Sequence, residues 1–126
     1  MTFTIPANPT PHEMNRCLVT CANNISMVQQ KVCEYKANVA FKQTAYKRAM
    51  AKALVIHQDK KNATLIKAMA ELEPFVINAI DELDQATALY TVAQGELEGW
   101  EAQFVALRKI AEIKRMEIQG KLDKYE

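Results

Sequence analysis

Stepping alternately four and three residues along the chain from Met14 meets Leu18, Cys21, Ile25, Val28, Val32, Tyr35, Val39, Lys42, Tyr46, Ala49, Ala53 and Ile56. Twelve of these thirteen positions are apolar, in a chain whose apolar content is 49%. A spacing that averages 3.5 residues keeps one stripe of an α-helix apolar, and it predicts a coiled-coil-like helix over about 11–57. Such a helix would be on the order of 70 Å long at about 1.5 Å per residue. Its start is well marked. Thr10 offers a capping hydroxyl, Pro11 falls at the first helical position where its missing N–H costs nothing, and Glu13 completes a capping box.

The polar run His57-Gln58-Asp59-Lys60-Lys61-Asn62 interrupts this pattern and reads as a turn over 58–62, with Asn62 as the cap of a second helix. The same stepping resumes at Leu65 and passes through Met69, Leu72, Val76, Ala79, Leu83, Ala86, Tyr90, Ala93, Leu97, Trp100, Phe104, Leu107, Ala111, Lys114 and Ile118. Fifteen of these sixteen are apolar. The second helix is therefore expected over about 63–119, with Gly120 as its C-terminal stop. Pro74 lies inside it and predicts a kink near 74, or a short break at Leu72–Glu73, because proline removes a backbone donor and crowds the preceding turn.

Two long helices joined by a short turn fold back on each other. The predicted fold class is all-α, a long antiparallel helical hairpin with coiled-coil heptads, as one domain over 11–126. Residues 1–10 read as an extended arm, since Pro6 and Pro9 disfavour helix there, and Phe3 and Ile5 make that arm apolar. A two-helix hairpin is too thin to cover its own apolar surface. Ile66, Ala70, Ile77 and Ile80 form a second stripe beside the main seam, as do Ala106, Ile110 and Ile113, and stripes of that size mark interfaces. Self-association into a helical bundle or ring is expected, through Ile66, Ile77, Ile80, Ile110 and Ile113.

Composition supports this picture. There are only three Gly and four Pro in 126 residues, so little interrupts a helix. Three cysteines, Cys17, Cys21 and Cys33, in one helical stretch fit a reducing compartment better than a disulfide framework. The N-terminal residues lack the basic and apolar regions of a secretory signal, and no apolar run approaches the roughly 18 residues of a membrane span. A cytoplasmic protein with no membrane partner is the expectation.

The formal net charge is +1, yet the charges are blocked. Residues 31–61 carry eight Lys or Arg against two acids, residues 71–101 carry eight acids and no Lys or Arg, and residues 102–126 carry six basic against four acidic residues. A turn centred near residues 59 and 60 places residue i beside residue 119 minus i. The basic stretch 31–52 would then lie along Glu71, Glu73, Asp81, Glu82 and Asp84, and the blocks would neutralise each other within the hairpin.

Little in the chain suggests catalysis. Cys17 and Cys21 share a helical face near His12, but zinc wants four converging ligands, and Cys21 belongs to the apolar seam. Cys33 has no neighbouring base. His12 and His57 fall at opposite ends of the first helix, so they do not pair. Glu96, Glu98 and Glu101 have no histidine among them and read as a solvated face. Gly95, Gly99 and Gly120 form no phosphate loop. No catalytic residue, cofactor or metal is expected.

The basic doublets Lys47-Arg48, Arg108-Lys109 and Lys114-Arg115 remain. The second helix is the longer, so residues from about 109 onward are expected to overhang the first and to keep their charge exposed. Repeated in an oligomer, these ends would form a multivalent track for phosphates. Tyr35, Tyr46, Tyr90 and Trp100 fall in the seam and read as core, not as stacking platforms for bases.

The stretch Ala45-Tyr46-Lys47-Arg48-Ala49-Met50-Ala51-Lys52-Ala53-Leu54, a polar turn and then Lys67-Ala68-Met69-Ala70-Glu71 resembles small helical proteins of phage replication and recombination modules. Leu107-Arg108-Lys109 and Lys114-Arg115-Met116-Glu117 resemble the basic close of the same hairpins. In plan the chain is similar to the UvsY-like recombination mediators, over roughly residues 30–119. The resemblance implies a ring-forming accessory protein that binds single-stranded DNA and helps load a recombinase against a single-strand-binding protein. It also implies that Lys47, Arg48, Arg108, Lys109, Lys114 and Arg115 contact DNA. The competing expectation is a protein-only interaction module: an assembly chaperone, a structural coiled coil or an inhibitor of a host factor. There the acidic face around Glu96, Glu98 and Glu101 and the arm with Phe3 and Ile5 would do the binding.

Overall fold

A computed structural model describes residues 9–124 of the chain; the expected arm, with Phe3 and Ile5, lies almost entirely outside the described residues. Three helices and no strand are found among the described residues: α1 (Pro11–Ile56), α2 (Ala63–Glu71) and α3 (Pro74–Lys124). The long helices α1 and α3 pack against each other as an all-α helical hairpin. No described helix is long and apolar enough to cross a membrane.

Each helix begins where its sequence provides a cap. At α1, the backbone N–H of Glu13 donates to Thr10 Oγ1 at 3.1 Å, and that of Met14 donates to the Thr10 carbonyl at 2.9 Å. At α2, extended Asn62 accepts the Leu65 N–H on its side-chain oxygen at 2.7 Å. At α3, the Glu73 carbonyl accepts from Val76 and Ile77, both at 3.0 Å, and Pro74 takes the first helical position.

The second helix expected over 63–119 takes the short break expected at Leu72–Glu73, and its expected end is corrected. Near Pro74 the chain is broken outright: α2 tightens into i→i−3 bonds, Leu72 to Met69 at 3.3 Å and Glu73 to Ala70 at 3.1 Å, and α3 starts afresh. Proline cannot donate to this ladder, and it pushes the residue before it out of helical conformation. At the far end, α3 runs through Gly120 to Lys124. Gly120 does not stop it because no glycine among the described residues adopts the positive φ of a helix C-cap.

Contacts divide the chain into two compact units, residues 31–94 and residues 1–30 with 95–126. In the first, Ala53, Ala70 and Val76 form a buried cluster, with Tyr46, Ala49, Met50 and Phe75 packed around it. The fully buried alanines Ala53 and Ala70 let α1 and α2 approach closely. Thr44, Thr87 and Thr91 turn their hydroxyls back onto carbonyls of their own helices at 2.9 to 3.1 Å. In the second unit, Met14, Cys21 and Val28 of α1 are buried, as are Trp100 and Leu107 of α3.

The heptad positions are the inward ones. From Met14 to Ala53, and from Val76 to Lys114, every seam residue is buried or half-buried. The rule fails at Ile56, Leu65, Leu72 and Ile118, which are exposed. In α2 the inward residues are Ile66, Met69 and Ala70, because the break at Leu72–Glu73 resets the helical phase between α2 and α3. Ala70, placed by its spacing on an outward stripe, is corrected to the core for the same reason.

Candidate functional site

The register of the hairpin decides where the charges fall. The turn alone would put Lys42 beside residue 77, but its ammonium contacts Glu82 Oε2 at 3.1 Å, more than a helical turn further along. Residues spent on the turn and on the break before Pro74 shift the second arm relative to the first. One consequence overturns an expectation. Ala111, Lys114, Arg115 and Ile118 line a groove of about 380 Å³ together with Pro9, Met14 and Leu18, so these basic residues lie alongside the start of α1 and do not overhang it.

The same shift limits neutralisation. In the basic stretch 31–52, Lys42 makes the one direct carboxylate contact among the described residues. Lys52 instead lies over the Phe75 ring, 5.2 Å from its centroid. Lys47 and Arg48 are exposed on α1 and meet no carboxylate among the described residues. Arg48 edges a shallow apolar concavity with Ala40, Phe41 and Ala45.

In the other unit, Arg108, Lys109 and Arg115 are exposed and likewise meet no carboxylate among the described residues, while Lys114 is half-buried. Arg108 and Arg115 are seven residues apart, which puts them on one face of α3. Both line a concavity of about 340 Å³ with Leu18, Ala111 and Glu112. The six doublet residues thus fall into two groups, Lys47 and Arg48 in one unit and Arg108, Lys109, Lys114 and Arg115 in the other.

Of the expected interface residues, Ile77 and Ile113 are exposed, at 43% and 56% of their surface. Ile66, Ile80 and Ile110 are half-buried by the chain itself. Sequence reasoning misses the groove at the start of α1. In the sequence Pro9 marks an extended arm and Pro11 a helix start, yet with Met14 and Leu18 they wall an apolar surface rimmed by Lys114 and Arg115.

Of the three thiols, Cys21 belongs to the seam. Cys21 is fully buried, and burial pushes its thiol above the ordinary range, with Cys17 adding to the rise. Among the described residues no three His, Cys, Asp or Glu side chains converge. His57 Nε2 lies 2.7 Å from Glu73 Oε1, tying the end of α1 to the residue before Pro74. Tyr35, Tyr46 and Tyr90 are half-buried and Trp100 is buried, with the Tyr90 hydroxyl accepting from Gln94 Nε2 at 2.8 Å.

The chain matches no family model, and comparison with curated proteins and with solved structures finds no similar one.

Proposed function

We propose that this chain is a non-enzymatic, self-associating accessory protein of a phage replication or recombination module, working in the host cytoplasm and binding single-stranded nucleic acid through its basic doublets. One observation carries the reading: Lys47, Arg48, Arg108, Lys109 and Arg115 are exposed with no carboxylate partner among the described residues. Mutual neutralisation is the simplest account of such charge blocks, and direct contact supplies it at Lys42–Glu82 but at none of these five residues among the described residues. Cations left in water attract phosphates and release counterions on binding. A recombinase or a single-strand-binding protein would be the protein partner.

Titrating a labelled single-stranded oligonucleotide with the protein and measuring its anisotropy tests this. Binding at physiological salt is expected, with log affinity falling linearly in log salt. Absence of binding even at low salt would sink the nucleic-acid reading.

A protein-only interaction module is the second reading, and a different observation favours it. Val19, Met27, Phe41, Val92 and Met116 each expose half or more of their surface. Single exposed apolar residues are ordinary, but a series of them on long helices offers area to another protein.

A further inference from the structure

The outward face of α3 repeats the coiled-coil spacing of its inward face. Stepping four and three from Gly95 meets Gly99, Ala102, Ala106, Lys109, Ile113 and Met116, all of them exposed. Ile113 and Met116 expose 56% and 71% of their surface, and Val105 beside them exposes 50%. A surface helix ordinarily turns a polar face outward, so a second apolar heptad series is the mark of a second helix partner. A Cβ added at Gly95 or Gly99 would meet nothing within 4 Å, so the fold of the single chain does not call for glycine at either position. Glycine within a helix is destabilising, and a partner's close approach accounts for it.

We infer that this face packs antiparallel against the same face of a second copy, with Gly95 opposite Ile113, Gly99 opposite Lys109 and Ala102 opposite Ala106. The match is one of size and charge. The two glycines receive Ile113 and Lys109, the alanines meet at the centre, and exposed Met116 meets exposed Val92. Lys109, the one cation in the series, lands between Glu98 of the second copy and its own Glu112, where it offsets the approach of these two carboxylates. A parallel pairing would set Lys109 against Lys109, Glu112 near Glu117, and glycine against glycine with an isoleucine pair bulging beyond. The antiparallel pairing is isologous and closes on itself.

This deepens the self-association proposed above and does not depend on nucleic acid. The test is sedimentation equilibrium of the full chain, free of nucleic acid, with circular dichroism on each variant. Gly95→Gln with Gly99→Gln keeps helical propensity and fills open space in the single chain, so folding is retained while the partner is displaced. A shift of the dimer dissociation constant by tenfold or more is expected. Lys109→Glu should weaken association comparably, and Lys109→Glu with Glu98→Lys should restore it. A wild-type monomer at every concentration would overturn this inference and the self-association reading together. Association that both variants leave unchanged would overturn this interface alone, and failure of the charge swap to rescue would overturn the antiparallel register.

Discussion

At the scale of single residues, position in the seam sets chemistry. Cys17, Cys21 and Cys33 are half-buried, buried and exposed. The thiolate is the reactive form, and burial of Cys21 disfavours it. Modification by a thiol reagent at neutral pH should therefore label Cys33 first, Cys17 next, and Cys21 only on the timescale of unfolding. Mass spectrometry of partly labelled protein would read this order directly; fast labelling of Cys21 would contradict the packing. Burial also fixes the sign of the pH dependence. A thiol held above its unfolded pKa favours the folded state at lower pH, and that contribution falls as pH rises past the ordinary thiol range. The same positional logic puts alanine at 53 and 70, where both are fully buried and larger side chains would force α1 and α2 apart.

At the scale of elements, most of what the chain builds is legible in its sequence. Caps at Thr10 and Asn62 can be read because the capping residue types accept specific local hydrogen bonds. The seam can be read because a heptad averages out single errors over a long helix. Register is not legible. Apolar spacing fixes which face of a helix turns inward, but not how many residues a turn and a proline break consume. Counting from the turn alone therefore puts the two basic groups beside the wrong neighbours and leaves the groove walled by Pro9, Met14 and Leu18 unseen. The break itself is braced by His57 and Glu73, half-buried side chains 2.7 Å apart. Truncating each to alanine, singly and together, should give a coupling of about 1 kcal/mol in a double-mutant cycle measured by denaturant unfolding. A coupling near zero would mean that Pro74 alone holds the break.

At the scale of the whole molecule, the question is how charges in two separate units act on one ligand. Each phosphate contact on a single strand contributes roughly 0.7 to the slope of log affinity against log salt. Replacing Lys47 and Arg48 with Ser should lower that slope by about 1.4 if both touch the strand, and replacing Arg108 and Arg115 should do the same. Lys109 behaves differently in this account, because packing against Glu98 of a second copy would neutralise it. Its replacement should weaken association of the protein with itself, and reach nucleic acid only through lost multivalency. Isothermal titrations of the three variants over a salt series separate these cases. A slope lowered by one pair alone would confine the strand to one unit. Slopes unchanged in both pairs would move binding off the doublets, leaving the exposed apolar faces of α1 and α3 as the working surface.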